Sequence, residues 1–212
     1  MTELRLTTAD MARILRQAAS DLQEHSEELR QLDALLGDGD LGITVSLFAN
    51  AISEYFDTTK ETDMGIFLSQ CGFYINKINS STFGTILTTA FIGAGKAVKG
   101  KNLIEFGDLV LMGEGAIKAI QERGKAQVGD KTLLDSLVPS VEALKQEITN
   151  GTDPIPAITA AVKAAENGMM ATAHIKAKVG RAKMFEDSIG IQDGGATAMY
   201  YLIESFGRNL FA

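Results

Sequence analysis

A single cysteine, Cys71, excludes any disulfide within the chain and fits a reducing compartment, so a cytoplasmic location is expected. Proline is scarce, at 3 residues in 212, which speaks against long disordered linkers and a turn-rich architecture. No apolar run approaches the roughly 18 residues that a membrane-crossing helix needs. Met1 to Asp10 carries acids without an apolar core, so the sequence predicts neither a membrane span nor a secretory signal. No run of Lys and Arg is present either, and the formal net charge is −7. Such a chain repels nucleic acid and anionic lipid. If it binds phosphates, it must supply positive charge locally, and a metal ion is the simplest source.

Hydrophobic residues make up 45% of the chain and charged residues 22%, an ordinary balance for a globular protein, and the length suits one domain spanning residues 1–212. Apolar spacing is helical nearly throughout. From Thr8 to His25, opened by a threonine cap, Met11, Ile14, Leu15, Ala18 and Leu22 form one stripe. A shorter helix is expected from Ser26 to Leu35. A third runs from about Ile43 to Phe56 with Val45, Phe48, Ala49 and Ile52 inward. Helical patterns continue over residues 63–78, 83–98, 103–122, 131–149, 154–178 and 194–207, and Ile75 to Ser81 is the one plausible strand. The breaks are brief, as at Lys99–Lys101 and Asn150–Pro154, and short connections favour antiparallel neighbours. The expected fold is all-α, one domain of about eight helices.

The segment from Leu32 to Gly42 holds Asp33, Asp38 and Asp40 among Gly37, Gly39 and Gly42. Glycine lets the backbone fold back through positive φ, so Asp38 and Asp40 can point the same way as Asp33. Carboxylates that close stay ionised together only if a cation compensates them. Three hard oxygen donors suit Mg²⁺, with water and phosphate oxygens completing the octahedron. An EF-hand is excluded, because the twelfth position counted from Asp38 is Ala49 rather than Glu. The plainer alternative is a solvated Asp-Gly turn, against which stand the third aspartate and the third glycine.

Ser188 to Thr197 is a second glycine-bearing segment, leading into the last helical pattern. Asp193 is placed to cap that helix. Gly194 and Gly195 leave its first N–H groups open to an anion, which a helix N-terminus attracts through those donors and its dipole. Arg181 lies upstream and can fork onto phosphate oxygens. Taken singly, these are an ordinary capped helix and an ordinary surface arginine. Gly124 to Thr132 imitates a P-loop, but Asp130 intrudes between Gly129 and Lys131, and no buried strand precedes it. An interhelical turn with Asp130 near the cap of the next helix is expected there.

Together, Leu32–Gly42, Arg123–Asp135, Gly180–Ala182 and Ser188–Thr197 resemble the L subunit of bacterial dihydroxyacetone kinase, the ADP-binding partner of a substrate-binding K subunit. The resemblance implies an antiparallel eight-helix barrel with ADP or ATP at one end, held by two Mg²⁺. The family's metal ligands fall on Asp33, Asp38 and Asp40. Its phosphate contacts fall on Leu41, Gly42, Ile43 and Thr44, its base-side contacts on Gly124 and Leu133, its arginine on Arg181, and its last nucleotide contacts on Asp193, Gly194 and Gly195. The chain departs from the family pattern at Leu41 and Ile191, where His is common, and at Gly194, where Pro is common. The family's Gly-Gly-x-Ser-Gly-Pro loop corresponds to the shorter stretch Ile78–Gly84, where Ser80 or Ser81 stands in for the loop serine.

No residue stands out as a base for a substrate hydroxyl. His25 and His174 read as structural or surface histidines, and Lys125 and Lys131 carry no assigned role. The resemblance implies that the K subunit holds the ketose and supplies the acid–base group. It also implies either ADP that stays bound and is recharged by a phosphohistidine M subunit of the sugar phosphotransferase system, or ATP exchanged at each turnover. A homodimer stays open as an assembly. The competing readings are a catalytically silent nucleotide-binding regulator, suggested by the missing His and glycine-rich loop, and a plain helical interaction module.

Overall fold

Thr7 opens the first helix, one residue earlier than expected. Its hydroxyl accepts from Asp10 N at 3.2 Å while the Asp10 carboxylate accepts from Thr7 N at 2.9 Å, a reciprocal capping box. The computed structural model describes residues 4–78 and 81–212. In these, β1 (Arg5–Leu6) precedes α1 (Thr8–Glu24), α2 (Ser26–Leu36), α3 (Leu41–Thr58), α4 (Met64–Ile78) and α5 (Thr82–Ala97). β2 (Ile104–Glu105) leads into α6 (Phe106–Gly124), α7 (Leu134–Thr149), α8 (Pro154–Ala171) and α9 (Gly194–Asn209). Short 3₁₀ turns occupy Thr172–His174 and Arg181–Met184.

Eight of these helices stand as the staves of a closed ring. Each packs on the next in the order α1, α3, α4, α5, α6, α7, α8, α9, and α9 returns to α1. Neighbours run antiparallel, as short connections require. Arg13 near the start of α1 reaches Asn209 at the end of α9, while His25, beyond the other end of α1, stacks on Tyr201 with ring centres 3.9 Å apart. Met11, Ile14, Ala18 and Leu22 of α1 and Val45, Phe48, Ala49 and Ile52 of α3 are buried, as their spacing predicts. Where α5 meets α6 the backbones nearly touch. A Cβ on Gly93 would lie 2.4 Å from Gly115 O, so only glycine allows this approach. α2 is not a stave; it packs at the ring's end against α3 and α9.

Four expectations need correction. Ile75–Ile78 is the last turn of α4 rather than a strand. β1 and β2, which no alternation announced, form a two-residue antiparallel ladder with Arg5 opposite Glu105, so α6 begins at Phe106 rather than at 103. Asp130 does not cap α7, whose cap position is Leu133; its carboxylate instead accepts from Gln127 N at 2.8 Å and closes the turn before it. The pattern over 154–178 is α-helical only to Ala171, where it tightens into the 3₁₀ turn Thr172–His174; the Thr172 carbonyl accepts from Ile175 N at 3.4 Å and also from the Lys131 ammonium at 2.9 Å. Among the described residues no helix is long and apolar enough to cross a membrane.

Candidate functional site

An up-and-down ring brings the starts of alternate helices to one end. The first turns of α3, α5, α7 and α9 open there onto a cleft of about 190 Å³. A helix start carries partial positive charge, so this end offers an anion four converging dipoles in a chain of net charge −7, although the chain's own side chains already meet Leu41 N, Gly84 N, Leu134 N and Ala196 N.

The carboxylates reach the same place through α2. Asp33 sits on its last turns, half-buried, while Asp38 and Asp40 lie exposed in the turn to α3. One oxygen from each of the three lies within 4.8 Å of the other two. Gly37 makes room for this, since a Cβ there would stand 2.7 Å from Asp33 Oδ1, and Gly39 turns the chain with φ of 72°. Leu41 N, the first donor of α3, points at Asp33 Oδ2 from 3.4 Å. Partial desolvation against the cleft wall raises the Asp40 carboxyl above its usual range, and the neighbouring charge of Asp33 raises it further. That mutual repulsion is what a bound cation would relieve. Asp38 forms an ion pair with Arg181, so the expected metal ligand and the expected phosphate contact hold each other.

On the facing wall Asp193 caps α9, accepting from Ala196 N at 2.7 Å. Burial pushes its carboxyl up to about 7; the Ala196 N–H and the Lys131 charge pull the other way, while Asp135 and Asp33 add to the rise. Gly194 backs onto the acidic turn, for a Cβ there would lie 3.0 Å from Leu41 Cδ2. Two of the chain's departures from the family pattern, Leu41 and Gly194, are therefore in contact. Gly195 faces Leu133 N and Phe83.

The cleft is lined by Asp33, Asp38, Asp40, Leu41, Leu133, Arg181, Asp193, Gly194 and Gly195. An apolar pocket of about 430 Å³ adjoins it, sharing Thr82, Ile86, Leu133, Val179 and Gly180, and it includes Gly124. Gly42, Ile43 and Thr44 do not line the cleft. Gly42 packs on α2, where a Cβ would meet Ser26 O at 2.3 Å, and Ile43 is 63% exposed. Thr44 is buried, with its hydroxyl donating to Ser81 Oγ at 3.0 Å, and Ser81 caps α5 by accepting from Gly84 N. Ser80, the other candidate for the loop serine, lies outside the described residues.

Sequence reasoning left out Phe83 and Ile86, which form the cleft's apolar wall, and gave Lys131 no role. Lys131 is in fact buried beneath the cleft, with its ammonium among backbone carbonyls of the 172–191 segment. The spacing of Phe83 and Ile86 on one face of α5 was readable as such; the carbonyls around Lys131 carry no sequence signature.

Comparison with known proteins places these features in context. Residues 35–208 match the model of the DAK2 domain. The chain is 32% identical to the PEP-dependent dihydroxyacetone kinase 2, ADP-binding subunit DhaL, of Listeria innocua, over 99% of its own length and 98% of the relative's. It is 31% identical to the PEP-dependent dihydroxyacetone kinase, ADP-binding subunit DhaL, of Escherichia coli, over 84% of this chain and 86% of that one. In three dimensions it superposes on the dihydroxyacetone kinase from C. freundii in complex with AMP-PNP and Mg²⁺, with a TM-score of 0.70 and 22% identity. That match covers 93% of this chain and 33% of the larger kinase, and at this identity it bears on the fold alone. The helical ring, the acidic turn at its end and the 31–32% identity to two ADP-binding subunits over 84–99% of the chain all agree, and the chain belongs to the DAK2 domain family.

Proposed function

We propose that this chain binds ADP or ATP together with Mg²⁺ and serves as the nucleotide-bearing subunit of a kinase for dihydroxyacetone or a related small ketose. The observation that carries the reading is the common focus of Asp33, Asp38 and Asp40 where four helix starts converge. Carboxylate oxygens are the hard donors that suit Mg²⁺, and two ions is the number that the resemblance to the dihydroxyacetone kinase L subunit implies. Bound Mg²⁺ would neutralise charge on the phosphate oxygens. The chain's own residues do the rest: the N–H groups at the starts of α3 and α9 face the polyphosphate, and Arg181 leaves Asp38 to pair with a phosphate oxygen. The apolar pocket at Gly124 and Leu133 takes the base. Phosphoryl transfer depends mainly on alignment and charge neutralisation. A K subunit brings the ketose and its acid–base group, and a phosphohistidine M subunit recharges ADP, in keeping with the PEP-dependent kinases to which the two relatives belong.

Titration calorimetry of Mg–ADP against the wild-type chain and Asp38→Asn tests this. The variant is expected to bind roughly tenfold or more weakly with its helical circular dichroism intact. Equal affinity would remove the metal assignment, and no Mg²⁺-dependent nucleotide binding by the wild type would remove the whole reading. A second reading, a nucleotide sensor without transferase activity, draws on Leu41, which is 4% exposed and stands where the family commonly has His. Mg–ADP binding without phosphate transfer to dihydroxyacetone in the presence of a K subunit would favour it.

A further inference from the structure

Lys131 is 2% exposed, with the Asp193 carboxyl near enough to feel its charge, yet the oxygens that accept from its ammonium are backbone carbonyls. The ammonium donates to the carbonyls of Thr172 at 2.9 Å, Ile175 at 3.3 Å, Ser188 at 2.5 Å and Ile191 at 2.6 Å. Three N–H groups facing four oxygens must share. The arrangement is closer to a coordination cage than to a set of directed bonds. Backbone carbonyls grouped in this way replace the hydration shell of a monovalent cation in ion-selective pores.

The local backbone is organised to put the charge there. Lys131 has φ of 65°, a left-handed conformation uncommon outside glycine. Asp135 holds the turn in that shape by accepting from Gly129 N at 2.6 Å and Thr132 N at 2.7 Å. The four carbonyls bracket one segment: two lie at its start, just after α8, and two at its end, just before the Asp193 cap of α9. Arg181 lies between them. The ends are also stapled directly, Gly190 N to Ala173 O at 2.7 Å and Ala177 N to Ser188 Oγ at 3.0 Å, so the segment returns close to where it left.

We propose that Lys131 acts as a tethered monovalent cation, a positioning residue whose ammonium fills a four-carbonyl cage and sets the register in which Arg181 and Asp193–Gly195 face the phosphates. The positioning role rests on the nucleotide reading above; the cage does not. Removing the side chain leaves oxygens turned toward one another with no positive charge between them, and K⁺ is of the size and charge to take its place.

Two variants and two readouts test this. Lys131→Ala empties the cage, and Lys131→Met fills it with an uncharged chain of similar length. Melting temperature without nucleotide, and Mg–ADP affinity, are measured in KCl and in an equal concentration of tetramethylammonium chloride. The wild type is expected to behave alike in both salts. In tetramethylammonium the Ala variant melts lower and binds Mg–ADP roughly tenfold or more weakly. K⁺ restores most of both properties to Ala and neither to Met. The proposal is overturned if the Ala variant binds as the wild type does in tetramethylammonium. It is equally overturned if K⁺ changes neither readout, including the case of a variant that stays unfolded in both salts. A K⁺-dependent melting temperature with no Mg–ADP binding by any form, wild type included, would overturn the nucleotide reading and the positioning role together while the cage stood.

Discussion

Replacing Arg181 with Gln is expected to move two affinities in opposite directions. In the ligand-free protein the guanidinium is paired with Asp38, whose carboxylate is one of the three placed to hold Mg²⁺. A metal ion arriving alone must displace it. The two side chains are 51% and 48% exposed, and an ion pair in that setting is worth about 0.2–1 kcal/mol. Arg181→Gln should therefore tighten the binding of Mg²⁺ or Mn²⁺ alone by at most roughly fivefold, and less as salt screens the pair. With nucleotide present the guanidinium gains a phosphate partner, and a hydrogen bond to a charged group contributes about 1.5–3 kcal/mol. Its loss should weaken Mg–ADP by roughly 10- to 150-fold, far more than the freed Asp38 returns. Calorimetry with the metal alone and then with Mg–ADP reads both quantities on one preparation. If the two affinities fell together, or if metal affinity dropped, Arg181 would be supporting the acidic turn rather than competing for it, and the exchange of partners would be refuted.

Leu41→His and Gly194→Pro should act together on kinase turnover, because an atom added at Gly194 lies 3.0 Å from Leu41 Cδ2. A double-mutant cycle is expected to show coupling of about 0.5–3 kcal/mol, and strictly additive effects would deny the contact any importance. Gly168→Ala drives a Cβ to 1.9 Å from Asp135 O, so α8 must move off α7. A cost of about 1–3 kcal/mol is expected, lowering the melting temperature by roughly 2–12 °C, and nucleotide affinity should suffer because Asp135 shapes the turn at Lys131. Gly107→Ala, with open space around it, is the control and should leave both unchanged or raise stability slightly.

The staves were legible because each must bury a stripe, and stripes such as Met11–Ile14–Ala18–Leu22 leave a period in the sequence. The acidic turn was legible for a different reason: its three carboxylates and the glycines that bend the chain between them are all local. What stayed hidden depends on partners distant along the chain. Arg5–Leu6 becomes a strand only because Ile104–Glu105 lies beside it, and two residues are too few to show alternation. Helix α8 gives way at Ala171 to a 3₁₀ turn, and the ammonium that meets Thr172 O there comes from the turn before α7, a contact that no propensity at 172–178 encodes. Leu41 and Gly194 could be seen separately as departures from the family pattern, but that they face each other is a fact of packing. Thr44 looked like a phosphate donor from its place in the chain, and in the fold its hydroxyl turns to the cap of α5.

A closed circle of alternating directions works only with an even count. Nine helices in such a circle would force one pair to run side by side in the same sense, with a long return path between them. The chain resolves this by laying α2 across the rim instead of standing it in the wall. Its final turns can then arrive over the opening, which a wall helix spends on contacts with two neighbours. The acids sit at the rim because the helix that bears Asp33 and leads into the turn with Asp38 and Asp40 was surplus to the circle.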